Sequence, residues 1–378
     1  MDAERRILSD GAIAIEGGRI AAIGPDREVA GAHAAEARET RDLAGAMVHP
    51  GFVDAHAHTS SDLIRGFTPK SDPNWDPIDN AFYGPSGPDG DYLGTLLSAM
   101  EMIRNGITTY CDTGSSRDLD RTARAIEEVG VRGIPGHLIF DVLASPEMEP
   151  LVASTEECLA RITRQIEAHP FGGDGRAWCA VTLSGMGLST DRLLQEGAAL
   201  AQQAGVPMVM HQSWGANEIA ESQQRYGKRP LFHLADLGIL GPNLTLVHMI
   251  QLDDSEVELI AASGARVVHC PNASLRRGKG AFRVGRFPEL IAAGVPVALG
   301  SDGMGGKRDM ARQMHLAIGG QREVRNEYPV ITGEQALEMA TINGARAVGL
   351  ADEIGSLAAG RRADLVIHTL DRPEAHPR

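Results

Sequence analysis

Apolar runs alternate with amphipathic stretches through the middle of the chain. Short runs rich in Val, Ile, Leu and Ala predict buried strands. These runs are 47–56, 107–112, 131–140, 177–183, 206–211, 244–248, 265–269 and 295–302. Between them, apolar residues recur at helical spacing, which predicts helices. The helical stretches include 92–105, 119–129, 154–168, 191–204, 255–262 and 286–293.

Strands that alternate with helices predict a parallel sheet and an α/β fold. Eight such strands fit a (β/α)8 TIM barrel, in which functional side chains lie at the C-terminal ends of the strands. A doubly wound open sheet is the alternative. We favour the barrel because several strands end in a potential metal ligand, and only a closed ring brings those ends around one centre.

Short strands are also predicted near both ends of the chain. The runs 11–16 and 19–23 flank a Gly17-Gly18 pair, which is a hairpin signal. The run 363–368 is another apolar strand. We expect the two ends to meet in one small β-sandwich domain beside the barrel.

The predicted domains are therefore 1–48 with 353–378 for the flanking domain, and 49–352 for the barrel. The C-terminal part of the flanking domain is short, so we expect either a truncated chain or a reduced sandwich. The segment 66–91 is rich in Pro, Asp and Gly. It predicts a long loop over the barrel mouth, with a plain surface loop as the alternative.

Composition narrows the class of protein. The net charge of −14 over 378 residues argues against nucleic acid as a partner. No apolar run approaches the roughly 20 residues that span a bilayer, and the N-terminus lacks a basic-then-apolar signal. None of the four cysteines forms a C-x-x-C pair. We expect a cytoplasmic protein that acts on a small molecule, without a membrane partner.

Histidines and an aspartate stand at the ends of four predicted strands. His56 and His58 are two residues apart, so their side chains point to the same face of a strand. His211, His248 and Asp302 end later strands. Imidazoles with a carboxylate suit a divalent ion, with Zn²⁺ favoured and Fe²⁺, Mn²⁺ or Co²⁺ as alternatives.

These residues make the chain resemble the amidohydrolase superfamily. The matching residues are His56-Ala57-His58, His211, His248 and Asp302 on the first, fifth, sixth and eighth strands. The likeness is closest to the branch of cytosine deaminases, chlorohydrolases and guanine deaminases. The stretches that carry it are 246–248 with 252–256, 267–272 and 355–365. The likeness covers nearly the whole chain, and it is specific for the superfamily but weak on substrate.

The resemblance implies a role for each of these side chains. The metal ligands would be His56, His58, His211 and Asp302. Asp302 would also accept a proton from the metal-activated water and return it to a leaving nitrogen. His248 would orient the water or polarise the substrate, and His269, at the end of the seventh strand, would contact the substrate.

The resemblance also bears on the number of metal ions. Binuclear relatives bridge two ions with a carbamylated lysine at the end of strand four. This chain has no lysine in 177–189, so we expect one ion. Relatives are commonly dimers, and we therefore expect a homodimer.

One departure from the family pattern concerns the reaction. Deaminases of this branch carry a proton-shuttling Glu three residues after the strand-five histidine, where this chain has Trp214; Glu218 follows four residues later. Protonation of a ring nitrogen needs that additional acid. We therefore favour hydrolysis of an amide, carbamate, urea or similar C–N bond, with Trp214 and Glu218 near the substrate.

Two other functions stay open. One is an aminohydrolase or chlorohydrolase of a nitrogen heterocycle, and the other is a metal-bound protein that binds without catalysis. After strand seven the chain carries a run of cations that includes Arg276 and Arg277. These side chains are candidates for binding an anionic substrate group, with a solvated loop as the alternative.

Overall fold

The computed structural model describes residues 5–65, 87–144, 146–303 and 306–370. Twelve strands lie in this part of the chain, and eight of them form a ring. In chain order the twelve strands are β1 (Gly11–Glu16), β2 (Arg19–Pro25), β3 (Met47–Pro50), β4 (Phe52–Ala57), β5 (Ile107–Asp112), β6 (Arg132–Ile134), β7 (Val181–Leu183), β8 (Met208–Gln212), β9 (Leu244–His248), β10 (Arg266–His269), β11 (Val297–Leu299) and β12 (Leu365–His368).

Strands β4 to β11 run parallel and close into a barrel. β4, β5 and β6 form one sheet, and β7 to β11 form a second. A bridge between Gly133 and Ala177 joins the two sheets on one side. On the other side Ala57 bridges Asp302, and the Asp302 amide donates to the His56 carbonyl at 2.9 Å. The prediction of a (β/α)8 barrel is confirmed.

Helices follow the barrel strands and cover the ring. In chain order the helices are α1 (Asp26–His33), α2 (Gly87–Arg104), α3 (Leu119–Val129), α4 (Thr155–Ala168), α5 (Asp191–Ala204), α6 (Ala216–Tyr226), α7 (Pro230–Asp236), α8 (Asp254–Ser263), α9 (Pro271–Arg277), α10 (Ala281–Val284), α11 (Phe287–Ala292), α12 (Met310–Arg325), α13 (Gly333–Ala340) and α14 (Ile342–Ala347). Short 3-10 helices cover Ser60–Ile64 and Pro146–Leu151.

The core has two layers that alternate along the strands. Val209, Val247, Val268 and Ala298 are buried in one cluster. The apolar residues that flank them in the chain pack in the other, namely Met208, Met210, Leu246, Val267, Val297 and Leu299. This is the period-two alternation of a strand. His211 shares the parity of Val209, which places its side chain on the same face of β8, at the C-terminal end of the strand.

The prediction of one strand over 47–56 is wrong, because the chain changes partners at Gly51. The Gly51 amide donates to the Asp364 carbonyl at 2.8 Å, whereas the next amide, that of Phe52, donates to the Gly106 carbonyl at 2.9 Å. β3 therefore pairs antiparallel with β12, and β4 pairs parallel with β5. Apolar character runs through both strands and does not reveal this change.

The two ends of the chain meet beside the barrel. β1 and β2 form the expected antiparallel hairpin. The Ile20 amide donates to the Arg361 carbonyl at 2.8 Å, and the Ala363 amide donates to the Gly18 carbonyl at 2.9 Å. Together with the β3–β12 pair, these bonds connect the N-terminal and C-terminal segments. The predicted boundaries of a separate flanking domain stay a prediction.

The predicted loop over 66–91 falls mostly outside the described residues, which resume at 87. From there the loop prediction is wrong, because 87–91 form the first turn of α2. Pro88 suits the start of a helix, since its missing N–H is not needed there. The negative carboxylate of Asp89, in the first turn, interacts favourably with the positive end of the helix dipole.

Candidate metal centre and active site

Four predicted ligands converge at the C-terminal end of the barrel. The Asp302 Oδ1 atom lies 3.4 Å from His56 Nε2 and 3.4 Å from His58 Nε2. His211 Nε2 lies 3.3 Å from His58 Nε2. His56, His211 and His248 also present nitrogen atoms within 4.8 Å of one another. The barrel thus brings side chains from β4, β8, β9 and the end of β11 to one point.

The His56 ring has the environment of a metal ligand. Its Nδ1 lies 3.0 Å from Thr113 Oγ1, a contact that orients the ring and directs Nε2 toward the centre. His56 Nε2 is buried and makes no hydrogen bond to any described residue. A buried nitrogen without a partner is costly. A divalent cation bound between these side chains would give that nitrogen a ligand bond, so the donor set fits a metal ion.

The protonation states of the cluster also suit a metal ion. Burial, with the neighbouring rings, lowers the pKa of His58 and of His211 well below its usual value. Burial lowers the pKa of His248 to about 3. Burial alone would raise the pKa of Asp302, but the His56 ring and the Arg277 charge outweigh it and hold that pKa well below the usual value. Neutral imidazoles and a carboxylate are the forms that bind metals.

Unusual backbone conformations concentrate at this centre. His248 has a φ of 78°, Met249 of 49°, Asp302 of 61° and Ser213 of 53°. Positive φ is uncommon for residues other than glycine and tends to occur at functional sites. The strands therefore end in sharp turns that orient His248 and Asp302, a feature that strand periodicity does not predict.

A fully buried ion pair lies beneath the ligands. The guanidinium of Arg308 and the carboxylate of Asp62 are both fully inaccessible to solvent, and Arg308 Nη2 lies 2.7 Å from Asp62 Oδ1. Arg308 also donates to the His58 carbonyl at 3.0 Å, to the Asp302 carbonyl and to Ser301 Oγ at 2.8 Å. One side chain thus holds the backbone of two predicted metal ligands that come from opposite ends of the barrel sequence.

Asp54 provides a second connection between the same two strand ends. Its carboxylate accepts hydrogen bonds from the Ser301 amide at 2.8 Å and from Ser301 Oγ at 2.5 Å. Burial raises the pKa of Asp54, while the Arg308 charge and the Ser301 bonds oppose that rise. Sequence reasoning missed Asp54, Asp62 and Arg308, because these contacts join positions about 250 residues apart and follow no spacing rule.

A small cavity opens directly above the ligands. Its lining includes Trp214, His248, Arg277, Lys279 and Asp302. The Trp214 ring centroid lies 6.2 Å from that of His248, and Lys279 Nζ lies 3.5 Å from the centroid of the Trp214 ring. Asp302 is the only carboxylate among the described residues of the lining.

Comparison with known proteins identifies this arrangement. Residues 47–377, which include all of the converging ligands, match the amidohydrolase family. The chain belongs to the amidohydrolase family. The resemblance predicted from the histidine and aspartate pattern is confirmed.

Relatives of this amidohydrolase are named as deaminases. A 5-methylthioadenosine/S-adenosylhomocysteine deaminase of Syntrophobacter fumaroxidans is 32% identical over 100% of this chain and 84% of the relative. A 5'-deoxyadenosine deaminase of Methanothermobacter thermautotrophicus is 32% identical over 89% of this chain and 76% of the relative. The amidohydrolase is thus a hydrolase that acts on C–N bonds other than peptide bonds, as predicted.

Solved structures agree with the fold, and one of them also agrees with a metal. An adenosine deaminase from Xanthomonas campestris with bound zinc has a TM-score of 0.86 and 29% identity, covering 99% of this chain and 83% of that one. A zinc complex of the atrazine chlorohydrolase of Arthrobacter aurescens has a TM-score of 0.86 at 22% identity, covering 100% of this chain and 86% of that one. The chlorohydrolase supports the fold. With the ligand cluster, the zinc-bound adenosine deaminase supports a divalent metal in this amidohydrolase.

Glu218 lies beside the centre but its carboxylate supports the backbone. It accepts from the Ser213 amide at 2.8 Å, from the Trp214 amide at 2.9 Å and from Gln212 Nε2 at 3.0 Å. Burial raises the pKa of Glu218 to about 7 against these hydrogen bonds. The geometry favours a role in shaping the loop after β8, and the predicted substrate contact stays a prediction.

His269 and Arg276 also make contacts within the protein. The His269 ring stacks on Phe287 with centroids 3.7 Å apart, and burial lowers the pKa of His269 to about 3. Arg276 donates to the Gly303 carbonyl at 2.7 Å and thereby holds the loop after Asp302. Neither side chain is part of the described cavity lining, and their predicted contacts with substrate stay untested.

No helix in the described part of the chain combines the length and apolar character needed to cross a bilayer.

Proposed function

We propose that His56, His58, His211 and Asp302 bind one Zn²⁺ ion, with which the protein hydrolyses a non-peptide C–N bond of a small molecule. The observation that carries this proposal is the convergence of the four side chains around the buried nitrogen of His56. Three imidazoles and a carboxylate are a common zinc ligand set. The zinc-bound adenosine deaminase that resembles this chain supports the same ion.

A bound divalent metal supplies a water whose pKa is lowered toward neutrality. Asp302 then acts as the base that accepts a proton from the attacking water. The same carboxylic acid returns the proton to the nitrogen that leaves when the C–N bond breaks. The neutral His248 ring is placed to donate a hydrogen bond to the substrate oxygen or to orient the water.

The number of carboxylates available to move a proton at the centre favours hydrolysis of an amide, carbamate or urea. Amide-type substrates need one group that moves one proton, and Asp302 supplies it. Ring deamination needs a further acid for the ring nitrogen. Trp214 occupies the position of that acid, and the hydrogen bonds of Glu218 to the loop after β8 engage its carboxylate.

Deamination of a substituted adenosine is the second candidate. The relatives that cover most of this chain are named for that reaction. In this case Glu218 or a water molecule would replace the missing acid. A cytoplasmic location and a homodimer complete the proposal, and they follow from composition and from the family resemblance.

A substrate panel separates the two candidates. Zinc-loaded protein would be assayed for cleavage of amides, carbamates and ureas, and for ammonia release from 5'-deoxyadenosine and 5-methylthioadenosine. We expect turnover in the first group. Ammonia release from the nucleosides with no amide cleavage would favour the second candidate.

The variant Trp214→Glu tests whether the missing acid is the reason that we expect amide-type hydrolysis and not ring deamination. We expect it to gain deaminase activity, whereas the matched variant Trp214→Gln removes the ring without adding an acid and should not. Equal deamination by both variants would show that the ring blocks substrate and that a missing proton donor is not the cause.

A further inference from the structure

We propose that the substrate carries an anionic group, a carboxylate or similar oxyanion, which Arg277 and Lys279 bind beside the metal centre. This inference rests on the proposed function, because it names the substrate class of the same site. The anionic group would lie in the cavity lined by Trp214, His248 and Asp302.

The structure separates the cations that follow β10 into two groups. Arg286 pairs with Asp254 at 2.5 Å and with Glu289 at 3.4 Å, outside the cavity lining. Arg276 is exposed and holds the Gly303 carbonyl. Arg277 and Lys279 are half-buried, and both line the cavity. The cations look alike in the sequence, but the fold places two of them, Arg277 and Lys279, at the proposed reaction centre.

The two cations share the cavity lining with two residues of the metal centre, His248 and Asp302. The described lining thus contains two cations and one carboxylate, and that carboxylate is a proposed metal ligand. An anionic substrate group in this cavity would therefore interact favourably with the two cations.

The shapes of these groups indicate how a substrate is bound. The planar guanidinium of Arg277 matches both oxygens of a carboxylate. The Trp214 ring offers a flat apolar face to a planar part of the substrate. The Lys279 ammonium lies on that face at 3.5 Å, and its flexible stem allows it to turn toward an anion. Together they favour a planar, anionic substrate with a hydrolysable C–N bond.

Matched pairs of compounds that differ in one charge test the inference. The zinc-loaded protein would be assayed on carbamoylbenzoate against benzamide, and on N-carbamoylglycine against its methyl ester. We expect kcat/KM to favour the anionic member by about 10- to 100-fold, the effect of one or two charged hydrogen bonds. Arg277→Gln and, separately, Lys279→Gln should reduce this ratio. The matched control Arg286→Gln should keep it, because Arg286 and its partners lie outside the cavity lining.

A ratio that is the same in wild type, Arg277→Gln and Lys279→Gln would overturn the inference. So would a preference for the neutral member, and in both cases the proposed hydrolase would stand. Lack of turnover on the whole panel would instead contradict the proposed function. In that case a binding measurement tests the inference. The melting temperature of zinc-loaded protein would be measured with benzoate and, for comparison, with benzyl alcohol. A benzoate-specific rise that is lost in Arg277→Gln would support it, and equal rises would overturn it.

Discussion

Replacing Arg308 tests whether the buried ion pair holds the proposed metal ligands in place. In Arg308→Gln the Asp62 carboxylate would stay fully buried without its cationic partner. The backbone carbonyls of His58 and Asp302 would lose a donor in the same step. Removing one member of a buried pair typically costs about 3–5 kcal/mol. We expect a loss of that size in the free energy of unfolding.

The same change should weaken metal binding. Supporting contacts behind metal ligands typically contribute about 10- to 100-fold in metal affinity, and we expect a loss in this range. Urea unfolding of the metal-free protein would measure stability without a contribution from bound metal. Competition with a chelator would then measure zinc affinity. The double variant Asp62→Asn/Arg308→Gln should recover much of the stability, because no uncompensated charge remains.

Arg286→Gln is the control, since Arg286 is partly exposed and pairs with the exposed Asp254 and, at 3.4 Å, with the half-buried Glu289. Exposed pairs contribute little, about 0–1 kcal/mol. If Arg308→Gln changed stability no more than this control and left zinc affinity intact, the reasoning about the buried pair would be refuted.

Three further changes probe the centre itself. Asp302→Asn should lower kcat by about 10²- to 10⁴-fold while the circular dichroism spectrum is unchanged, because the amide cannot accept the proton. Thr113→Val should weaken zinc binding by about 10-fold or more in chelator competition, because the Nδ1 contact of His56 at 3.0 Å is lost. Gly303→Ala should also weaken zinc binding, because its Cβ would lie 2.8 Å from that of His58.

Each of these changes has an outcome that would count against the account. Full activity in Asp302→Asn would remove the proposed base, and unchanged zinc affinity in Thr113→Val would show that the hydroxyl does not orient the ring. Gly241→Ala is the control for Gly303→Ala, since its added Cβ meets nothing within 4 Å. Equal zinc affinity in these two glycine variants would contradict the predicted displacement of His58.

The barrel and the convergence of the candidate ligands were predictable because they follow local rules. Period-two spacing relates His56 to His58, and strand–helix alternation places strand ends on one face of a ring. Predicted strands such as 107–112 and 244–248 agree with β5 and β9. The 47–56 prediction was wrong because pairing partners change at Gly51, and partner choice depends on tertiary contacts that apolar character does not encode.

Other features of the centre depend on contacts between distant positions. The Asp62–Arg308 pair joins opposite ends of the barrel sequence, and no spacing rule relates these residues. Likewise, the sequence placed Glu218 near substrate, but it cannot show that the loop amides take up this carboxylate. The positive φ of His248 arises from the turn after β9, and strand patterns give no sign of it.

Metal stoichiometry tests the central claim most directly. Protein purified, stripped with a chelator and reloaded with zinc would be analysed by inductively coupled plasma mass spectrometry, alongside a variant in which His56 and His58 are both replaced by Ala. We predict about one zinc per wild-type chain and almost none in the variant. Wild-type protein that retains no metal, or a double variant that retains as much as wild type, would contradict the claim.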